Sequence, residues 1–112
     1  MPPRDRSSLL DIVQAAQLAQ TFVAGMDWLQ FEADLKTQSA ALYQIAIIGE
    51  AVKRLSPQLR NQHPDIPWAA MAGMRDKLIH DYEGVDVERV WLTLQSSIPD
   101  LLQAINSLLA QD

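Results

Sequence analysis

Three side chains within one short stretch can do acid–base and anion chemistry together. The stretch runs from Met74 to Tyr82 and holds Arg75, His80 and Tyr82. Arginine presents a planar, always-charged fork that matches the oxygens of a carboxylate or a phosphate. A histidine titrates near ~6.5 as a residue type, which suits proton transfer at neutral pH. A tyrosine hydroxyl can bind phosphate or orient the imidazole. Two of them also have a plainer use: the arginine can tie two helices together, and the histidine can cap a helix end.

The elements around them decide between these uses. Taken as one helix at about 100° per residue, the segment places Trp68, Met71, Leu78, Ile79 and Tyr82 within about 60° of Arg75. Arg75 is then centred on an apolar stripe, with His80 offset from it. A buried, unpaired guanidinium is too costly to leave alone. It must find a carboxylate or line a cleft, and Glu50 is the candidate partner. Glu50 follows the apolar run Leu42 to Gly49, so it either points to solvent or pairs with such a buried cation.

Four main helices and one irregular loop account for the chain, with no strand alternation. The first helix is expected to begin at Ser7 or Ser8 and to stop at Gly25. The connection from Met26 to Leu35, with Trp28, Leu29 and Phe31, can form a helical turn that caps the bundle. The second long helix runs from about Thr37 to Leu55, with Gly49 admitting a close neighbour. Ser56 and Pro57 end it. A loop with one possible turn follows. Pro67 then opens a third helix that reaches Tyr82, and Gly84 breaks it. Asp86 caps the last helix, which Pro99 kinks or splits.

The 112 residues, 48% of them apolar, allow one domain with a modest core. There is no cysteine, which excludes disulfides and fits a reducing compartment. Two histidines without ligand spacing make no metal site. There is no apolar leader and no run near the roughly 20 residues that span a bilayer, so a cytoplasmic protein is expected. The net charge of −5 argues against a generic nucleic-acid surface. Between Asp65 and Arg89 stand six acids (Asp65, Asp76, Asp81, Glu83, Asp86, Glu88) and three Lys or Arg (Arg75, Lys77, Arg89). Any RNA contact must therefore be local, with Lys53, Arg54 and Lys77 as the candidate cations.

Arg75, four residues, His80, Asp81 and Tyr82 resemble the R-x4-H-x-Y signature of HepT-like toxins in the HEPN superfamily. Ile47 to Pro57 resembles the family's second block, and Ile66 to His80 its core block. Gly84 to Asp86, Val90-Trp91, Arg4-Asp5 and the opening of the first helix at Asp11 also match. Glu83 departs from the pattern, because relatives often carry an aromatic residue there.

The resemblance implies an all-α, antiparallel HEPN bundle of four to five helices spanning 1–112 as a single domain. It implies a homodimer in which Arg75 and His80 of both copies meet in one cleft. It implies a metal-independent endoribonuclease toxin of a type VII toxin–antitoxin system, with no cofactor and RNA as substrate. The antitoxin would be a minimal nucleotidyltransferase of the MntA type that transfers AMP to Tyr82. Glu50, Asp76 and Asp81 would support the site. RNA supplies its own 2′-hydroxyl nucleophile, so proton transfer and charge stabilisation suffice for cleavage. The competing reading is a non-catalytic helical dimer that serves as binding partner and AMP acceptor.

Overall fold

The computed structural model describes residues 1–80 and 84–112. Asp81, Tyr82 and Glu83 lie outside the described residues. The fold is all-α, and the described residues include a pair of two-residue strands. Its helices are α1 (Pro3–Val23), α2 (Trp28–Glu32), α3 (Leu35–Lys53), α4 (Pro57–Gln62), α5 (Trp68–Ala72), α6 (Met74–Leu78), α7 (Val87–Leu92) and α8 (Ile98–Ala110). A π-helical turn, Thr93–Ser97, joins the last two. Strands β1 (Ile79–His80) and β2 (Gly84–Val85) pair antiparallel, Ile79 with Val85 and His80 with Gly84.

The central element is α3. It packs along α1 on one side and against α5 and α6 on the other, while α8 closes over α1. Leu9, Ile12, Ala16 and Ala19 of α1 are fully buried, as are Ala41, Ile45, Ile48 and Val52 of α3. Their spacing of three and four residues makes one apolar stripe per helix. Alanines in both stripes let the axes approach closely. Among the described residues, no helix is long and apolar enough to cross a membrane.

The helix starts show which local signals win. The first helix starts at Pro3, not at Ser7 or Ser8. Proline at the first helical position has its torsion pre-set and loses no hydrogen bond. Ser8 is instead buried inside the helix. Asp5, also buried, accepts from the Ser56 backbone N–H at 2.9 Å and the Ser56 hydroxyl at 2.7 Å. The α3 helix begins at Leu35 because Asp34 caps it, accepting from Thr37 N–H at 3.0 Å and from the Thr37 hydroxyl at 2.6 Å. Ser56 caps α4, with Pro57 at its first position.

The expected cap over one end forms as α2. Asp27 and Gln30 exchange backbone-to-side-chain hydrogen bonds at 2.9 Å, a reciprocal capping box. Phe31 is fully buried, with its ring centroid 5.1 Å from that of Trp91. Gln38, itself buried, donates to the carbonyls of Phe31 and Glu32, which satisfies acceptors at the end of this short helix.

The third helix departs most from expectation. It is not continuous from Pro67 to Tyr82. Pro67 is the cap before α5, Gly73 interrupts, α6 ends at Leu78, and Ile79 is extended. Leaving helical geometry costs little at glycine. The chain after Leu78 finds other partners: β1 pairs with β2, and Asp86 N–H donates to Leu78 O at 2.8 Å. Gly84, with φ of +78°, sits in the left-handed region that the return requires.

Candidate functional site

The short α6 is anchored by Met74 and Leu78, which are buried, and it leaves Arg75, Asp76 and Lys77 exposed. The approach of the preceding α5 to α3 is fixed at Gly49, where an added Cβ would stand 2.9 Å from the Ala72 carbonyl oxygen. Upstream, the Trp68 indole N–H donates to His63 O at 3.0 Å, which ties the start of α5 to the loop before it. Two anchors therefore hold the pair α5–α6 against the bundle.

Arg75 does not lie on the apolar stripe. Its side chain is 53% exposed and, among the described residues, its carboxylate partner is Asp76, at 3.3 Å. Glu50 does not pair with it. That carboxylate is solvent-facing and accepts from Lys53 at 3.3 Å, one helical turn along α3. The expectation of a buried Arg75–Glu50 pair is thereby corrected. The break at Gly73 rotates α6 relative to α5, so a single wheel drawn through both places Arg75 on the wrong face.

His80 is exposed at the end of β1. It is joined to Arg75 by the last turn of α6 and two extended residues, an advance of about 11 Å at the usual rises. Two solvent-facing side chains at that spacing, one of them a long arginine, can converge on one phosphodiester. Asp81 and Tyr82 fall outside the described residues, so the expected sharing of a face by Arg75 and Tyr82 is a matter of sequence alone. Lys53 and Arg54 end α3, and Arg54 reaches Asp11 of α1 at 3.2 Å. Lys77 lines a separate cavity between α6 and α8. Among the described residues, no group of three or more His, Asp or Glu is placed to hold a metal ion. His63 is half-buried and contributes only its backbone carbonyl to Trp68.

A family model described as "Ribonuclease HepT-like" matches residues 12–108, which include α6, both hairpin strands and His80. The chain belongs to the HepT-like ribonuclease family. A Thermococcus cleftensis protein named "Probable ribonuclease HepT" is 45% identical over 93 residues, 83% of this chain and 84% of that protein. "Putative RNase MJ0127" of Methanocaldococcus jannaschii is 36% identical over 110 residues, covering 97% and 91% of the two chains. "Putative RNase TTE0752" of Caldanaerobacter subterraneus is 36% identical over 107 residues, 96% of each. No solved structure matches the chain.

Sequence reasoning missed two features of this HepT-like chain. The Asp5–Ser56 link joins residues 51 positions apart, and no local pattern signals it. Arg89, Thr93 and Ser97 line the cavity beside Lys77. The signal for that wall was Pro99, whose distortion of the helix was expected but whose consequence upstream was not.

Proposed function

We propose that this chain is a metal-independent endoribonuclease toxin that cuts RNA with Arg75 and His80. The observation that carries the reading is the HepT-like family match over residues 12–108, with both residues solvent-facing inside it. Arg75 neutralises the phosphate as negative charge grows, and preorganised charge of this kind is often the largest catalytic effect. Asp76 holds the guanidinium at the surface. His80 moves the proton of the 2′-hydroxyl or of the leaving oxygen. One histidine cannot be base and acid at once, so a second copy of the chain completes the cleft. The whole of 1–112 acts as one domain in a cytoplasmic homodimer. Lys53 and Arg54 bind flanking phosphates, since exposed ion pairs are weak and exchange partners readily.

Tyr82 is the acceptor of AMP from an MntA-type nucleotidyltransferase antitoxin, as in a type VII system. The tyrosyl oxygen attacks the α-phosphorus of ATP, and pyrophosphate leaves. The attached AMP adds bulk and negative charge two residues from His80, which repels RNA. Asp81 supports the site between them.

The test is cleavage of total cellular RNA, with EDTA present, by wild-type and His80→Ala protein. Cleavage by the wild type alone is expected. No products from either removes the nuclease reading and leaves the non-catalytic dimer, and equal products from both remove His80 from the mechanism. Intact mass after incubation with ATP and the antitoxin tests Tyr82. A gain of one or more AMP units is expected, and one that survives Tyr82→Phe overturns that assignment.

A further inference from the structure

We infer that the cavity between α6 and α8 is a subsite for one unstacked nucleotide of the RNA strand. The inference rests on the ribonuclease reading above. The cavity encloses about 380 Å³, at the small end of the roughly 300–1,000 Å³ usual for small-molecule sites. Its floor is Met71, Met74, Leu78 and Leu101, all buried. Around it stand Lys77, Arg89, Ser97 and Asp100, all exposed, and the buried Thr93.

Each part suits a nucleotide. Thioethers make favourable contacts with aromatic rings, so Met71 and Met74 give a base a polarisable bed. Neither Lys77 nor Arg89 has a carboxylate partner among the described residues, although the chain is acidic overall. Each can donate to phosphate oxygens. Asp100 can accept from an exocyclic amino group, as carboxylates do with cytosine N4.

The wall itself is unusual. Proline 99 has no N–H to donate, and its ring cannot sit against the carbonyl four residues back. The helix answers with a π turn, in which Ile98 N–H donates to Thr93 O. Such turns are rare and concentrate at functional sites. Here Thr93 and Ser97, at the two ends of the turn, both line the cavity. The Thr93 hydroxyl donates to Arg89 O at 2.8 Å, which leaves its oxygen free to accept.

Lys77 and Arg75 leave α6 roughly 160° apart at about 100° per residue. A strand with its scissile phosphate on Arg75 therefore passes around this short helix, an element about 10–12 Å across, and places in the cavity a base roughly two or three nucleotides away. Base selection a few nucleotides from the cut site is the consequence.

The four methionines make the test direct, because Met1 and Met26 do not line the cavity. His80→Ala protein, labelled at its methionine methyls, is titrated with CMP, AMP, GMP and UMP. Saturable shifts of Met71 and Met74, with Met1 and Met26 still, are expected. UMP, which has no amino group, should bind weakest, and Asp100→Asn should erase its disadvantage. Lys77→Glu or Arg89→Glu should weaken binding roughly 10- to 100-fold, the cost of a charged hydrogen bond. Both positions are exposed, and the unmoved Met1 and Met26 signals report an intact fold.

Silence with all four nucleotides overturns the inference, as does binding indifferent to both charge reversals. Shifts caused by decanoate, or by a peptide of alternating leucine and glutamate, with nucleotides silent, overturn it in favour of another ligand. Methyl shifts without RNA cleavage by the wild type support the cavity while removing the nuclease reading. Cleavage without shifts does the reverse.

Discussion

Gly49 lies against Ala72 so closely that a Cβ at position 49 would stand 2.9 Å from the Ala72 carbonyl oxygen. The neighbour is backbone, so it cannot swing aside as a long side chain would. Gly49→Ala should therefore push α5 and α6 away from α3. Overpacking of this kind costs roughly 1–3 kcal/mol, read as a lower denaturant midpoint. RNA cleavage should fall by more than the unfolded fraction explains, because α6 carries Arg75. A variant as stable as the wild type would show that α5 shifts freely and that this contact does not place the site.

Arg75 and His80 should behave differently. Both are exposed and neither supports the core, so alanine at either should change stability by no more than about 0.5 kcal/mol. His80→Ala should lower cleavage about 10²- to 10⁴-fold, the usual worth of a general acid or base. Arg75→Lys should keep only part of the wild-type rate, since an ammonium cannot reproduce the two-pronged contact. Loss of activity matched by loss of melting temperature would make these residues structural instead.

Some of this arrangement can be read from the chain alone. Gly49 within an apolar run marks a close helix contact, and Asp86 before Val87 marks a cap, which forms with Arg89 N–H at 3.1 Å. Pro99 marks a disturbed helix. These signals are local, and each has one physical meaning. The outward turn of Arg75 is not local. It depends on whether Gly73 keeps the helix or breaks it, and that depends on the hairpin formed by residues beyond Leu78. Periodicity assumes the continuity that was in question. Among the described residues the carboxylate partner of Arg75 is its chain neighbour Asp76, whose place beside it in the sequence carries no signal of pairing.

Asp5 and Ser56 test the remaining long-range link. Asp5→Ala leaves the Ser56 N–H and hydroxyl without their partner in a part-buried position. The expected cost is roughly 1–3 kcal/mol. Asp5→Asn should recover part of it, because the amide oxygen still accepts from Ser56 N–H. Ser56 also caps α4 by accepting from Leu59 N–H at 3.2 Å. Ser56→Ala should therefore be at least as harmful as Asp5→Ala. Equal stability of Asp5→Ala and wild type in urea would mean that the link adds nothing.

Asp34 gives the chain a dependence on acid. Its carboxylate accepts from the Thr37 hydroxyl and then from the Thr37 N–H, and these bonds hold its pKa below the usual carboxylate range. A group lowered in the folded state binds its proton first in the unfolded state. Its contribution is present in full above the unfolded value and is lost as pH falls through the folded one. The melting temperature should thus drop on acidification below the ordinary carboxylate range, and part of that drop should vanish in Asp34→Asn. Thr37→Val, which removes only the hydroxyl, should flatten the acid limb less than Asp34→Asn does, because the backbone bond stays. Thermal melts at a series of pH values, compared between the three proteins, decide this. Parallel acid limbs in all three would show that the cap on α3 is not the group being titrated.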